Sequence, residues 1–341
     1  MRTLSAPAVA GAPGSWLARV CLTGGLAITL SLHGATITDD FGADPAARGW
    51  HSFGDTNLFS WDSAAGKLNV TWDSSRTNSY FYRSLGTILD RQDDFGFAVD
   101  LKLLDFAGGI NPDKDSTFQL GLGFLNLDNA TRTNFFRGNG ALCPNLVEFD
   151  FFPDTGFGPT VWPAAWSTNS TLSYNGANDY TLLNLPVIVT MRVSMSYSAS
   201  NQTIRTTITT NGVAVGVVSD VKLSPTFTDF RVGAFAFESY SDAGQNPMFG
   251  GSLLAHGIVD NVVVTFPPPP VQNLAGRLAA GQWQMLFTSR TNWVYTLERS
   301  PALQSWAAVS MPTAGNGGTL MLTDTSPLPG VAFYRVRAER P

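Results

Sequence analysis

One stretch of the sequence decides how the rest is interpreted: Asn145-Leu-Val-Glu-Phe-Asp-Phe-Phe-Pro-Asp-Thr-Gly-Phe-Gly-Pro-Thr-Val-Trp162. Charged residues make up only 14% of the chain, yet two carboxylates lie here two positions apart within an apolar run. Because side chains alternate between the faces of a strand, Glu148 and Asp150 share one face, and valine and phenylalanine fill the other. Pro153 ends the strand, and turn-forming residues follow it. The pattern predicts a strand with one face in a core and a functional site on its acid face.

The sequence on both sides of this stretch, from residue 36 to residue 266, predicts one strand after another. Apolar or alternating segments recur between clusters of Gly, Asn, Asp and Ser, without sustained helical periodicity. The predicted strands include residues 67–72, 95–103, 118–124, 187–195, 203–210, 230–237 and 258–266. Many short strands without crossover helices are typical of a two-sheet sandwich. A unit of about 230 residues favours a large jelly roll over an immunoglobulin-type sandwich of roughly 100 residues.

A second unit is predicted after four consecutive prolines, residues 267–270, which form a stiff extended linker. Residues 271–341 contain further strand-like runs and three tryptophans, whose simplest role is a core of their own. At about 70 residues this unit is near the lower limit for an autonomous domain. The sequence therefore predicts a jelly-roll domain over 36–266, a proline linker, and a small C-terminal β-sandwich domain over 271–341.

The first 35 residues differ from the rest of the chain. Arg2 and Arg19 are their only charges, an interrupted apolar segment covers residues 20–32, and the small residues Gly34 and Ala35 follow. This pattern predicts an export signal over residues 1–35 and hence a secreted protein, with a membrane anchor as the alternative. The apolar segment is shorter than the roughly 20 residues that a membrane span requires, so none is expected in the mature chain.

Charge and cysteine content narrow the class of protein further. The formal net charge is −5, and no basic cluster is present, which argues against a nucleic-acid partner. Once residues 1–35 are removed, Cys143 is the one remaining cysteine, so the mature chain has no intrachain disulfide. A lone cysteine in such a chain is expected to be a small buried hydrophobe.

Three groups of residues resemble the concanavalin A-like lectin/glucanase superfamily, and the resemblance covers about residues 36–266. They are Asp39-Asp-Phe41 with Trp50, Trp61 and Trp72; Val147-Glu-Phe-Asp-Phe-Phe-Pro153; and Val259-Asp-Asn-Val-Val-Val264. The resemblance implies a jelly-roll fold and a carbohydrate ligand.

In lectins of this superfamily, the glutamate and aspartate of the corresponding strand hold a manganese and calcium pair. The resemblance therefore implies that Glu148 and Asp150 are metal ligands, with Asp154 as a third oxygen donor. Donors that are all oxygen favour calcium as the cofactor. The lectin pattern continues with an asparagine, a second aspartate and a histidine, whereas this sequence has Pro153, then Asp154, and no histidine nearby.

The sequence also allows a second calcium site, with a structural role. Asp39, Asp40 and Asp260 lie in the first and last strands of the jelly roll, which commonly meet in one sheet. Plain turn capping by these aspartates is the other interpretation.

The acid strand also resembles the catalytic strand of family-16 glycoside hydrolases, Glu-x-Asp-x-(x)-Glu. Glu148 matches the nucleophile and Asp150 the assisting acid, but the acid/base position falls on Phe152 or Pro153. Retaining hydrolysis needs two carboxyl groups about 5–5.5 Å apart across the bond. The missing third acid therefore argues against catalysis unless another loop supplies it.

Aromatic and polar residues elsewhere are candidates for the same site. Trp162 and Trp166 could stack on a sugar ring, although core packing is the commoner role of such residues. Glu238, Tyr240 and Asp242 could complete the cleft, or form an ordinary polar loop. Because lysine and arginine are scarce around the acid strand, its two carboxylates would repel each other unless a cation lay between them.

The C-terminal unit resembles the small β-domain of secreted bacterial proteins of the Verrucomicrobia–Planctomycetes type. The residues that carry this resemblance are Tyr295-Thr-Leu-Glu-Arg-Ser300, Leu303-Gln-Ser-Trp306, Asp324 and Phe333-Tyr-Arg-Val-Arg337. It implies an accessory or attachment module.

The first hypothesis is a secreted, non-catalytic carbohydrate-binding protein, whose poly- or oligosaccharide lies near Glu148, Asp150 and Trp162 with calcium. The second is a glycoside hydrolase or lyase on the same fold, with Glu148 as nucleophile or base. The third is a structural extracellular or surface-assembly protein that binds other proteins.

Overall fold

The structure is a computed structural model that describes residues 15–18, 35–108, 119–137, 142–153, 158–173, 180–244 and 252–341. They divide into two compact units, one within Gly34–Pro267 and the other formed by Pro268–Pro341 with the described part of Met1–His33. Almost all regular structure is strand, arranged in antiparallel sheets, so the predicted all-β class is confirmed. Within these ranges no helix has the length and apolar character needed to cross a membrane.

The first strand, β1 (Ser15–Ala18), belongs to the smaller unit, and the described residues of the larger unit form sixteen strands. These are β2 (Ala35–Asp39), β3 (Trp50–Phe53), β4 (Phe59–Asp62), β5 (Lys67–Asp73), β6 (Ser79–Leu89), β7 (Phe95–Gly108), β8 (Leu120–Leu125), β9 (Leu146–Phe152), β10 (Thr160–Trp166), β11 (Thr181–Leu182), β12 (Thr190–Ser198), β13 (Thr203–Thr210), β14 (Val213–Ala214), β15 (Val221–Lys222), β16 (Val232–Ser239) and β17 (Leu253–Phe266). Short helices accompany them: two 3-10 turns (Ala46–Arg48 and Thr56–Leu58) and α1 (Leu127–Ala130).

The larger unit is a sandwich of two sheets. A seven-stranded sheet has the order β11-β10-β9-β8-β16-β6-β3. A nine-stranded sheet has the order β14-β13-β12-β7-β17-β5-β4, with β15 beside β13 and β2 beside β17. Ala35 in β2 pairs with Phe266 in β17, so the first and last strands meet in one sheet, as expected from the sequence.

Aromatic side chains fill the space between the two sheets. Phe97 in β7 lies 5.2 Å from Phe235 in β16, measured between ring centroids. Phe106 in β7 meets Phe151 in β9 edge to face at 5.7 Å. Such pairs add about 0.5–1.5 kcal/mol to the stabilisation from buried area. The phenylalanine face of β9 therefore packs in the core as predicted, and alternation places Glu148 and Asp150 on the opposite face.

The smaller unit has its own hydrophobic core, which contains Trp293, Tyr295 and Tyr334. Its strands after β1 are β18 (Val271–Ala279), β19 (Gln282–Ser289), β20 (Val294–Ser300), β21 (Ala307–Ala308), β22 (Thr313–Ala314), β23 (Thr319–Asp324) and β24 (Phe333–Glu339). One sheet has the order β18-β19-β23, and the other has the order β1-β24-β20-β21, with β22 on β20. β1 comes from the predicted export signal and pairs with β24.

Candidate functional site

Two rows of residues cross the seven-stranded sheet on the face opposite to the core phenylalanines. One row, in the order β16, β8, β9 and β10, is Glu238, Gly121, Asp150 and Trp162. The next row, in the same order, is Ala236, Gly123, Glu148 and Ala164. Residues opposite each other on neighbouring strands are about 4.5–5.5 Å apart, so the two rows bring three acids together.

The glycines of β8 provide the room that these acids occupy. A Cβ added at Gly121 would lie 2.9 Å from Oε2 of Glu238. A Cβ added at Gly123 would lie 2.5 Å from the Cα of Glu148. Any larger residue at either position would collide with the acid cluster.

Arg137 lies between the two carboxylates of β9. Its Nε donates to Oε1 of Glu148, and its Nη2 donates to Oδ2 of Asp150 at 2.7 Å. The arginine side chain is 2% exposed, and both acid side chains are fully buried. The scarcity of lysine and arginine around these acids was misleading, because Arg137 precedes Glu148 by only 11 residues and pairs with both acids. Salt bridges to Arg137 therefore hold the two acids of β9.

Aromatic rings enclose the arginine. The guanidinium carbon lies 5.0 Å from the ring centroid of Trp166, 5.6 Å from that of Trp162 and 5.9 Å from that of Tyr240. A cation this close to a ring face is attracted by the ring quadrupole. The two tryptophans, which the sequence offered as an exposed sugar platform, are thus walls of a buried arginine site, only 6% and 7% exposed.

Tyr180 covers Trp162 at the edge of the sheet. The two rings are stacked, with centroids 4.6 Å apart and planes 24° from parallel. Tyr180 itself is 41% exposed, so it presents an aromatic ring to solvent where Trp162 does not. It was not singled out in the sequence, since nothing in its neighbourhood marks it as a partner of Trp162.

Glu238 and Tyr240 lie beside these acids, which is one of the two arrangements that the sequence left open. The Tyr240 hydroxyl donates to Oε2 of Glu148 at 2.7 Å and lies 3.1 Å from Oε2 of Glu238. Asp242 lies elsewhere: its carboxylate accepts from the Ser74 hydroxyl at 3.3 Å, and its N–H donates to the Ser74 carbonyl.

Burial dominates the electrostatics of the cluster. Loss of solvent raises the pKa of Asp150 well above its ordinary value, although the charge of Arg137 opposes this. Burial likewise raises the pKa of Glu238, and the nearby charge of Glu148 adds to it. Oδ1 of Asp150 and Oε1 of Glu238 accept no hydrogen bond in the part of the chain that the structure describes. Of the three carboxyl groups, those of Glu148 and Asp150 share the guanidinium of Arg137.

The residues expected to bind calcium do not fit a divalent ion in the arrangement that the structure shows. Glu148 and Asp150 both bind the guanidinium of Arg137 on the side where an ion would lie between them. Asp154, the third expected ligand, lies outside the described residues.

The alternative calcium site is not formed either. Asp39 accepts from Nε1 of Trp50 at 2.8 Å and pairs with Arg48 at 2.9 Å. Asp40 pairs with the same arginine, whereas Asp260 pairs with Lys67 at 3.4 Å. Across the described ranges, no three Asp, Glu, His or Cys side chains gather as a group able to hold a metal ion. In this structure the three aspartates of the expected calcium staple form ion pairs.

Comparison of the sequence with known proteins finds no match among family models and none among curated proteins. Among solved structures, the chain is similar to peanut lectin with a 9mer peptide, at 14% identity and a TM-score of 0.43, over 70% of this chain and 100% of that one. It is similar to lectin II from Ulex europaeus, at 11% identity and a TM-score of 0.39, over 69% and 99%. The chain is also similar to alginate lyase Aly36B, at 14% identity and a TM-score of 0.35, over 63% of this chain and 86% of that one. Likenesses this distant identify no ligand and no reaction.

Proposed function

We propose that this protein is a secreted, non-catalytic carbohydrate-binding protein whose poly- or oligosaccharide lies against Tyr180. The observation that carries the proposal is the stacked pair at the sheet edge, in which the partly exposed ring of Tyr180 rests on buried Trp162. An aromatic ring with an apolar face and a polar tip suits a sugar, which presents C–H groups and hydroxyls together.

The pair is held in place from behind, which favours binding. Trp162 is fixed by the guanidinium of Arg137 on one side and packs near Phe152, with ring centroids 6.1 Å apart. A ring that is already immobilised loses little conformational entropy when a ligand stacks on it. The buried arginine site thereby supports the exposed ring.

The state of the acids supports a binding role over a catalytic one. Glu148, the expected nucleophile or base, is fully buried and bonded to both Arg137 and Tyr240. Calcium has no part in the proposal, because the same arginine occupies the expected ligands. Export rests on the pattern of residues 1–35.

The test measures retention of the mature protein on a panel of soluble and insoluble polysaccharides, with released reducing ends read from the same samples. Tyr180→Ala is expected to weaken binding up to about tenfold, since a ring contact is worth about 0.5–1.5 kcal/mol. Tyr180→Phe keeps the ring and serves as the matched control. Equal binding by wild type and Tyr180→Ala contradicts the proposal, and no retention on any polysaccharide moves the surface-assembly hypothesis to first place.

A glycoside hydrolase or lyase is the second candidate, favoured by one contact. The Tyr240 hydroxyl bridges Glu148 and Glu238, so the segment after Phe237 does supply an acid beside the expected nucleophile. Burial raises the pKa of Glu238, so this acid holds a proton. Glu148, in contrast, accepts hydrogen bonds from Arg137 and Tyr240. Released sugar ends that Glu148→Gln abolishes, with binding retained, would favour this candidate over the first.

A further inference from the structure

The exposed aliphatic side chains of the larger unit are gathered at one edge of the sandwich. Within the described residues of this unit, every exposed large hydrophobic residue is Leu104 or lies in residues 180–189 or 213–217. Ile188 is 66% exposed, and Val217 is 87% exposed. Apolar surface that remains exposed in one place marks an interaction site more often than chance would.

Main-chain pairing brings these runs of residues together. Val187 forms a parallel bridge with Leu103, the residue before Leu104. β14 pairs with β13, which is the neighbour of β12. A Cβ added at Gly216 would lie 2.6 Å from the side chain of Leu183, so the run after β14 lies along the segment that precedes β12. The aliphatic edge is defined here by Leu104, Val187, Ile188, Val189, Val213 and Val217.

Ile188 has a main-chain conformation that its side chain disfavours. Its φ is 65°, in the left-handed region, where a β-branched residue is a genuine outlier. Its N–H donates to the carbonyl oxygen of Leu103 at 2.6 Å, which fixes this conformation. Backbone strain of this kind clusters at functional sites. In this chain the strained residue carries an exposed aliphatic side chain, which suits a contact with a partner.

The outer strands of both sheets end at this edge without protection. β11 is the last strand of the seven-stranded sheet and β14 that of the nine-stranded sheet, and the Ser219 N–H donates to Oγ1 of Thr181 between them. Outer strands commonly carry charges or proline, which prevent pairing with another chain. Neither β11 nor β14 has such a residue, and residues 180–191 and 206–219 contain no charge at all.

We propose that the aliphatic edge is a dimer interface, covered by the same edge of a second copy of this chain. A two-fold interface places one surface against itself, and an uncharged apolar surface is complementary to itself. The acids next to this edge are already bonded within their own chain, Asp105 to His256 at 2.7 Å and Asp220 to Arg205 at 2.8 Å. These acids therefore need no partner of opposite charge.

The size of the aliphatic edge fits the centre of such an interface. The exposed fractions of its six residues correspond to on the order of 500 Å² of surface. A standard interface takes about 800 Å² from each partner and has an apolar centre with a polar rim. Neighbouring threonine, serine and asparagine side chains supply the rim. The inference does not depend on carbohydrate binding, because Tyr180 is not part of the aliphatic edge.

Sedimentation equilibrium of the mature protein tests the inference, with wild type expected to be dimeric at about 10 μM. Ile188→Asn removes the aliphatic side chain, and asparagine tolerates the left-handed conformation, so the variant is expected to fold. Because both copies lose a central apolar contact, its dissociation constant should rise about a hundredfold or more. Val331→Asn is the matched control, since Val331 is 76% exposed in the smaller unit, and it should dimerise like wild type.

Two results would overturn the inference. One is a wild-type protein that is monomeric at about 100 μM, which would leave the aliphatic edge to a different partner. The other is a folded Ile188→Asn variant that dimerises as tightly as wild type, because the interface then lies elsewhere. If circular dichroism shows that Ile188→Asn is unfolded, Ile188→Gly, which also accepts a positive φ, replaces it and is judged by the same criterion.

Discussion

The hydroxyl oxygen of Tyr240 lies 3.1 Å from Oε2 of Glu238, within hydrogen-bond distance. The same hydroxyl donates to Glu148 at 2.7 Å, and burial raises the pKa of Tyr240 so that it keeps its proton. A phenol has only one proton to donate. The contact between Tyr240 and Glu238 is therefore best made when Glu238 is protonated and donates to the tyrosine oxygen.

This proton makes stability depend on pH. Burial raises the pKa of Glu238 in the folded chain, whereas an unfolded glutamate titrates near about 4.3. The stabilising contribution is fully present below the unfolded pKa and is lost as the pH rises through the folded pKa. Wild type is thus expected to lose unfolding free energy relative to Glu238→Gln, by more than about 1 kcal/mol between about pH 5 and 8.

Urea unfolding at several pH values measures this difference. Glu339→Gln is the control, since Glu339 is an exposed glutamate that pairs with Arg337 in the smaller unit. Its unfolding free energy should follow wild type at each pH. Parallel pH profiles for wild type and Glu238→Gln would show that Glu238 is ionised throughout.

Gly123 is expected to tolerate no side chain. A Cβ there would lie 2.5 Å from the carbonyl oxygen of Val147 and equally close to the Cα of Glu148, both main-chain atoms that cannot rotate away. Gly123→Ala should therefore lower the unfolding free energy by about 1–3 kcal/mol. Gly42→Ala is the control, because its nearest neighbour is the exposed side chain of Asp40 at 3.3 Å, and its effect should be within about 0.5 kcal/mol. Equal effects in denaturant unfolding would contradict the close approach.

The adjacent aspartates Asp39 and Asp40, at the start of the larger unit, should differ sharply in their contribution to the unfolding free energy. Asp39 is buried and accepts from Trp50 and from the N–H of Phe41, in addition to its ion pairs. Asp39→Ala leaves these donors unsatisfied and should lower the unfolding free energy by about 3–5 kcal/mol. Asp40→Ala should lower the unfolding free energy by less than about 1 kcal/mol, because Asp40 is an exposed partner of Arg48. Chemical denaturation of both variants measures the gap, and a similar loss in each would contradict the assignment of Asp39 as the buried partner.

Cys143 should resist thiol reagents in the folded chain. Burial raises the pKa of its thiol to about 12, so at pH 8 only about one molecule in ten thousand carries the reactive thiolate. In a Cys21→Ser chain, a disulfide reagent is expected to label no thiol under native conditions and one thiol in denaturant. Native labelling at the rate seen in denaturant would mean that the thiol is accessible.

Eight strands of the larger unit could be predicted from the sequence because each is a local pattern, whereas β6 (Ser79–Leu89) and β10 (Thr160–Trp166) were not among those predicted. The alternation around Glu148 and Asp150 places acids and phenylalanines on opposite faces whichever strands lie beside β9. Burial of Cys143 was predicted for the same kind of reason, since a lone small hydrophobe in a large core is seldom exposed.

The partner of the acids could not be predicted, because it depends on a contact between segments with no shared pattern. Arg137 lies outside any strand, and its charge looks like that of a surface loop until the fold places it over β9. Gly121 and Gly123 were visible as an alternating pair of small residues in a strand. Only the register of β8 against β9 shows that they make room for acids.

The ladder between β2 and β17 has a consequence for how the chain acquires its structure. β17 is the partner of β7, β5 and β2, and it is the last strand of the larger unit to be synthesised. β2, β5 and β7 can therefore pair with β17 only after the whole unit has left the ribosome. Contacts between such distant parts of a chain form slowly, and unpaired strand edges are prone to aggregate meanwhile. The nine-stranded sheet can accordingly be completed only when β17 is available, although hairpins such as β12–β13 and β4–β5 need no strand from later in the chain.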